Sequence, residues 1–227
     1  IVDPSLPPAP AEGTLTDAFA KSFFTLYMNA KSANGGAELS AAQVDELTGQ
    51  ALDSLSALVT AAPDYKTLRD ITVSGSGADA LKTFAASAEA IILKNRSASD
   101  ATKDEILYLQ DAIQNNDVTA FPHIVSIAKM YRDTAVGLAA LPVPAELVAG
   151  HLALINVMMR ASGIASDFAR VDTDPLAAML ALNQYVQVSQ SLTQMFVTIS
   201  NVYAAAGITL PAGTSGAIFL NAVQRHE

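Results

Sequence analysis

The last quarter of this chain carries almost no charge, and this constrains its fold more than any other feature. Residues 175–224 are fifty consecutive positions without Asp, Glu, Lys, Arg or His. Apolar runs within this segment are far shorter than the roughly 18 to 20 residues needed to cross a bilayer, because amides and hydroxyls interrupt them. Either this segment is the helix around which the other helices pack, or it is the surface through which the molecule assembles.

Local signals predict one long helix at the start of the uncharged segment. Asp174 suits the N-cap position, and Pro175 suits the first helical position. No helix breaker follows until Gly207, so we expect a helix over residues 175–206.

A stripe of uncharged polar side chains replaces charge on this predicted helix. Its members recur at steps of three and four residues, which places them on one helical face. In one interpretation they face water or link to neighbouring helices inside the bundle. In the other they form a contact surface, because amides cost less to desolvate than ions and interface cores are depleted in charge. The stripe consists of Asn183, Gln187, Gln190, Gln194, Thr198 and Asn201.

Helical spacing of apolar residues continues over most of the chain from Thr14 onward, and 42 alanines favour helix throughout. Thr16 is predicted to cap the first helix, Ser40 begins a capping-box pattern, and Ser99 is predicted to cap the fourth helix. The β-branched residues at 71–73 are too few for a sheet and are interpreted as a linker. The sequence therefore predicts an all-α fold, an antiparallel bundle of six or seven helices.

Composition divides the chain into three parts. Residues 1–13 contain four prolines and are predicted to form an extended linker. Residues 14–207 form the helical bundle domain. Residues 208–227 are predicted to be a C-terminal tail, in which residues 217–223 are apolar enough for a short helix.

Charge and motifs exclude several classes of function. The chain has 22 acidic and 13 basic residues, a net charge of −9, which argues against nucleic acid and anionic membrane surfaces as partners. The absence of Cys excludes disulfides and covalent haem, and no Glu precedes a His at di-iron spacing. Paired carboxylates such as Asp104 and Glu105 are explained by helix starts. We therefore predict no catalytic residue, metal site or cofactor.

Two ligand-binding alternatives remain open. A b-type haem could be held by His123 or His151 together with Met130, Met158 or Met159. Packing within the bundle is the competing interpretation of both histidines. Met158 and Met159 could also line a cavity for an apolar small molecule, although flexible methionines commonly fill cores.

Three segments carry a resemblance to a group of known proteins. Residues 17–24, residues 141–147 followed by His151, and residues 174–185 resemble uncharacterised, membrane-anchored helical ectodomains of small-genome bacteria. The similarity extends over residues 14–207. It implies an extracytoplasmic location at the cell envelope or surface, with any membrane attachment through an anchor absent from this chain, and it brings no known activity.

Together these observations predict a non-catalytic, extracytoplasmic helical bundle that serves as a structural or protein-interaction module. The expected partner is another protein, or a second copy of this chain, bound through the uncharged helix at residues 175–206. The alternative function is binding of an apolar small molecule or b-type haem within the bundle.

Overall fold

The fold is built almost entirely from helices, which confirms the all-α prediction. The structure, a computed structural model, describes residues 9–56 and 63–224. These residues include the short 3-10 turns Leu68–Asp70 and Ala145–Leu147 and two short strands, β1 (Val73–Gly75) and β2 (Val143–Pro144). The helices in the described residues are α1 (Leu15–Ala33), α2 (Ala41–Ser56), α3 (Ala78–Ser97), α4 (Glu105–Gln114), α5 (Ala120–Ala139), α6 (Val148–Phe168), α7 (Pro175–Ala205) and α8 (Ala217–Gln224).

The chain forms two compact units. The first unit consists of residues 1–62 and 170–180, and the second unit of residues 63–169 and 181–227. Among the described residues, α1, α2 and the beginning of α7 belong to the first unit. The second unit contains α3 to α6, the remainder of α7, and α8.

The first unit is an antiparallel pair of helices, α1 and α2, with the start of α7. Ser22 near the beginning of α1 lies 3.2 Å from Ser54 near the end of α2, hydroxyl to hydroxyl, which fixes the antiparallel direction. Among the described residues of this unit, Leu47, Ala51 and Leu55 of α2 and Ala177 and Ala178 of α7 are the buried apolar residues, and α1 has no fully buried residue. The stability of this unit therefore depends strongly on its helix ends.

Helix starts in the first unit agree only partly with the sequence prediction. The Thr14 hydroxyl, not that of Thr16, accepts the hydrogen bond from the Asp17 N–H at 3.0 Å, so α1 begins at Leu15. The prediction for Thr16 was wrong because its hydroxyl is engaged elsewhere, as described below. The capping box at Ser40 is confirmed, with the Ser40 N–H donating to the Gln43 side chain at 2.9 Å.

Two further predictions fall at the beginning of the chain and in the connection before α4. Of the predicted linker at residues 1–13, residues 1–8 lie outside the described residues. Ser99 does not cap the fourth helix, because α4 begins at Glu105 with Asp104 at the N-cap position. The Thr102 N–H donates to the Tyr108 hydroxyl at 3.0 Å, which holds this connection out of helical geometry.

The second unit has one continuous apolar core, centred on the antiparallel helices α5 and α6. The Ser162 hydroxyl of α6 donates to the Ala128 carbonyl of α5 at 2.8 Å within this contact. Leu81 of α3, Tyr203 of α7 and Phe219 of α8 are also almost completely buried. The predicted C-terminal helix is thus present as α8, and its aromatic side chain is part of the core.

One described stretch, Ala145–Phe168, has the length and composition of a membrane-spanning helix. Its mean hydropathy reaches 1.4, and 56% of its most apolar window is buried inside the protein. This stretch consists of α6 and the 3-10 turn before it. Its apolar side chains are used mainly in the core of the second unit.

Two short strands are the exception to the helical pattern. β1 pairs in parallel with β2, and the Val143 N–H donates to the Thr72 carbonyl at 2.8 Å. The interpretation of residues 71–73 as a linker was therefore wrong at Val73. Strands of two and three residues are too short to show an alternating pattern, and the pairing partner lies far away in the sequence.

The approach of α8 to α3 requires a glycine. Gly216 has φ +89°, and a Cβ at this position would lie 2.8 Å from the Ala85 Cβ and 3.0 Å from the Leu210 Cδ1. The Glu89 carboxylate of α3 accepts hydrogen bonds from two N–H groups in the first turn of α8, that of Ile218 at 2.6 Å and that of Phe219 at 3.3 Å. A carboxylate at a helix N-terminus is favourable, so α8 is held both by its end and by close packing.

Gly216→Ala is expected to lower the free energy of unfolding by about 3 kcal/mol. About 1 kcal/mol comes from the left-handed backbone and about 2 kcal/mol from the steric overlap. Gly213→Ala is the matched control, because Gly213 has φ +85° and nothing lies within 4 Å of its added Cβ. Urea denaturation of both variants separates the two contributions. Equal losses of unfolding free energy in the two variants would show that the close approach of Gly216 to Ala85 does not contribute to the cost of the substitution.

Candidate functional site

The long helix α7 begins and ends close to the predicted positions, at Pro175 and Ala205. The Ala177 N–H donates to the Asp174 carboxylate at 3.4 Å, which confirms Asp174 as its N-cap residue. The predicted polar stripe lies on the solvent side of this helix. Its five amide residues are exposed and Thr198 is half-buried: Asn183, Gln187, Gln190, Gln194, Thr198 and Asn201.

Two exposed apolar side chains extend this stripe. Leu182 is 47% exposed and Val186 is 60% exposed. Both lie in one row with Gln190 and Gln194 at steps of four residues, directly beside the row that contains Asn183. In the described residues, no amide side chain of the stripe hydrogen-bonds to another helix. We call the surface formed by Leu182, Asn183, Val186, Gln187, Gln190 and Gln194 the α7 face.

A second candidate site lies inside the second unit, between the beginning of α4 and helices α5, α6 and α7. A cavity of about 370 Å³ opens there, and an adjoining cavity of about 360 Å³ extends towards α3. Both are lined by Asp104, Glu105, Tyr131, Met158 and Phe196, so they meet around the Glu105 side chain. We call the two together the Glu105 cavity.

Glu105 is the unusual group in this cavity. It is only 6% exposed, and the Tyr131 hydroxyl donates to its Oε1 at a long 3.4 Å. Burial raises the pKa of the Glu105 carboxyl, and the neighbouring Asp104 charge raises it further. A hydrogen bond from its own backbone N–H offsets this only in part, so the cavity contains an acid that is costly to ionise.

The two tyrosines beside Glu105 have perturbed acidities as well. Burial, reinforced by the Glu105 charge, raises the pKa of the Tyr131 phenol far above its usual range. The same two causes raise the pKa of Tyr185 to about 12. Both phenols consequently stay protonated and act as hydrogen-bond donors or as ring surfaces. Apolar walls with a few convergent polar groups of shifted pKa are typical of small-molecule sites.

Sequence reasoning did not identify this site. Asp104 and Glu105 were explained as residues of a helix start, and Asp104 does occupy the N-cap position of α4. Only packing across three other helices buries Glu105. The signal available in the sequence was an acid in the first turn of α4 followed by two apolar residues, a pattern that many solvent-exposed helix starts share.

The histidines proposed as haem ligands lie outside the Glu105 cavity. His151 is fully buried and packs edge-to-face on Phe84, with ring centroids 5.4 Å apart. His123 stacks on Tyr108 at 4.8 Å, and its Nδ1 lies 3.4 Å from the Asp100 carboxylate. Neither histidine lines either part of the cavity. A haem placed in the Glu105 cavity would therefore lack a histidine at its wall.

The methionines named for the same role are divided between two environments. Met158 lines both parts of the Glu105 cavity, and Met130 lines the part towards α3. Met159 packs against the apolar core instead. Of the two methionines predicted to face a cavity, the structure therefore places Met158 there.

No group of three potential metal ligands, counting His, Cys, Asp and Glu, comes together within residues 9–56 and 63–224.

Comparisons of the chain with protein-family models, with curated proteins and with solved structures found no match. The α7 face and the Glu105 cavity are therefore the two candidate sites of the described residues.

Proposed function

We propose that this protein is a non-catalytic helical module of the cell envelope, located outside the cytoplasm, that acts by protein contact. The partner is a second copy of the chain, bound through the α7 face. One observation carries the proposal: an exposed helical surface that combines amides with Leu182 and Val186 and contains no charge, in a chain of net charge −9.

Charge favours self-association through this face over any other part of the molecule. Apart from Arg225 and Glu227, every Asp, Glu, Lys and Arg of the chain precedes residue 175. Two acidic copies repel one another through charged surfaces, whereas an uncharged surface adds little repulsion. Its amides also cost less to desolvate than ions would.

The chemistry of the α7 face suits a symmetric contact. A two-fold interface places the same surface on both partners, so that surface must complement itself. Each Asn or Gln side chain carries both donors and an acceptor, and can therefore pair with an identical amide. Leu182 and Val186 supply apolar area for the centre of such an interface.

The prediction of an envelope location is supported by the proline-rich composition of residues 1–13, which suits a spacer, and by the resemblance to anchored ectodomains. Protease added to intact cells of the native organism is expected to digest the protein. Resistance to protease until the cytoplasmic membrane itself is broken, even after any outer layer of the envelope is opened, would contradict the location and would leave the contact proposal to be judged by its own test.

Adding charge to the α7 face is expected to weaken self-association. Gln187→Lys combined with Gln194→Lys places two ammonium groups at the interface, and we expect the dimer to weaken by about tenfold or more, since unpaired buried charge is costly. Light scattering after gel filtration, over a range of protein concentrations, measures the mass of each variant.

The matched control adds the same two charges elsewhere. Gln110 and Gln114 are exposed on α4 and hydrogen-bond to each other at 3.0 Å. Their replacement by Lys should leave the dimer unchanged. A wild-type chain that stays monomeric at the highest concentration, or two double variants that behave alike, would refute the role of the α7 face.

A further inference from the structure

We propose that the Glu105 cavity binds an organic cation, an ammonium group on an apolar body, with the ammonium at the Glu105 carboxylate and the body against Met158 and Phe196. This site is separate from the α7 face, and the inference does not depend on the proposed self-association.

The size and lining of the cavity suit a small organic molecule. The two parts, about 370 and about 360 Å³, fall within the range of roughly 300 to 1,000 Å³ typical of ligand pockets. Ala161, Ile164 and Leu192 join Met158 and Phe196 in the apolar wall of the part beside α6 and α7. A ligand there would contact a mainly apolar wall together with the polar groups of Asp104, Glu105 and the two tyrosines.

Within the described residues, no basic side chain pairs with the Glu105 carboxylate, although Arg96 and Lys103 both line the part of the cavity towards α3. Lys103, the basic residue closest in sequence to Glu105, pairs with the Asp111 carboxylate at 2.8 Å. Arg96 lines only the part of the cavity towards α3. A buried carboxylate is expensive unless it is paired with a cation. The raised pKa of Glu105 is the result expected when that cation is missing.

In the part of the cavity beside α6 and α7, whose lining contains no basic residue, the polar groups also favour a cation over an anion. Asp104 lies beside Glu105, and together they would repel an anionic ligand. Tyr131 and Tyr185 both line this part of the cavity, and aromatic rings attract ammonium groups through their negative faces. Ser189 of α7 adds a hydroxyl that can accept a hydrogen bond from the ligand.

Three probes of nearly equal size separate charge from shape: phenethylamine, phenethyl alcohol and phenylacetate. Isothermal titration of the full chain near neutral pH should show phenethylamine binding about tenfold or more tightly than the alcohol. Phenylacetate should bind more weakly than the alcohol. Equal affinities for the amine and the alcohol, or no binding of the amine at millimolar concentration, would overturn the proposal.

Glu105→Gln keeps the shape of the side chain and removes only its charge. This variant should lose the preference for the amine, so that the amine affinity falls about tenfold to that of the alcohol, while the alcohol affinity is unchanged. Glu38→Gln is the control, because it makes the same change in net charge at a side chain that is 92% exposed. Unchanged amine affinity in Glu105→Gln would show that Glu105 is simply a neutral, buried acid.

Ala161→Leu tests the location of the apolar body. The larger side chain occupies part of the cavity, and both the amine and the alcohol should bind several-fold more weakly. Circular dichroism confirms that each variant is folded before titration. Full amine affinity in Ala161→Leu would place the ligand elsewhere.

The double variant Gln187→Lys with Gln194→Lys should bind the amine as the wild type does, so the outcomes for the cavity and for the α7 face remain separate.

Discussion

Asp174→Ala is expected to destabilise the first unit by about 3 kcal/mol. The Asp174 carboxylate accepts hydrogen bonds from the Leu15 N–H at 3.1 Å, the Thr16 N–H at 3.1 Å and the Thr16 hydroxyl at 2.8 Å. It also caps α7 through the Ala177 N–H. Loss of the cap costs about 1 kcal/mol, and loss of the three other hydrogen bonds adds about 2 kcal/mol in total, because water replaces part of each bond in the variant.

The acidity of Asp174 reflects the same contacts. Burial alone would raise the pKa of its carboxyl, but the hydrogen bonds from Thr16, Leu15 and Ala177 outweigh it and hold the pKa below its ordinary value. A carboxyl whose pKa is depressed in the folded state stabilises the fold above its unfolded pKa. That contribution is lost as the pH falls through the folded value.

Asp172→Ala provides the control, because it removes an exposed carboxylate two residues away. Asp174→Asn should lie between Asp174→Ala and the wild type, since an amide oxygen can still accept hydrogen bonds but carries no charge. Urea denaturation measures the loss, and hydrogen exchange at the N–H groups of Leu15 and Thr16 locates it. A loss in Asp174→Ala no larger than that in Asp172→Ala would contradict the role of the carboxylate.

Asp174 also shows which parts of the fold were predictable from sequence. Its own role as N-cap of α7 depends on the following Pro175 and on local spacing, and the prediction was confirmed. The choice between Thr14 and Thr16 as the cap of α1 was not local. Thr16 is removed from that role because its hydroxyl bonds to a carboxylate 158 residues away, and no short pattern records such a contact.

The same distinction applies to the candidate sites. Helical periodicity correctly placed the amides on one face of α7, but it could not tell an exposed face from an internal one, because amides occur in both. Glu105 shows the opposite failure. Its position in the first turn of α4 was recognisable, yet only the arrangement of α5, α6 and α7 turns this acid into the buried centre of a cavity. Burial is a tertiary property and has no local signal.

His151→Leu is expected to make the second unit much less sensitive to acid. His151 is fully buried, and neither ring nitrogen makes a hydrogen bond of normal geometry. Burial lowers the pKa of His151 to about 4, and the Leu138 carbonyl opposes this only in part. The folded protein therefore holds this imidazole neutral where an unfolded chain would protonate it.

The sign of the effect follows from proton linkage. Between pH 6.5, the ordinary pKa of histidine, and pH 4, the unfolded state binds about one proton more at His151 than the folded state does. The contribution of neutral His151 to stability is therefore fully present above the unfolded pKa. Below that pH the free energy of unfolding falls by about 1.4 kcal/mol per pH unit, or about 3 kcal/mol in total. Glu105 has the opposite effect on the pH dependence of stability. Because its pKa is raised, the folded state binds a proton there more readily than the unfolded state does, so Glu105 favours the fold at low pH.

A comparison of variants isolates the histidine from other titrating groups. Urea denaturation of wild type and His151→Leu, near neutral pH and again near pH 4, gives two pH-induced losses whose difference belongs to His151. We expect the wild type to lose about 3 kcal/mol more than His151→Leu, because leucine has no proton to bind.

Near neutral pH the two proteins should be similarly stable, since leucine removes an unsatisfied polar group and restores apolar packing. His123→Gln, at a partly exposed histidine, should keep the full acid sensitivity. Parallel losses in the wild type and His151→Leu would mean that the buried imidazole finds a hydrogen-bond partner when it is protonated.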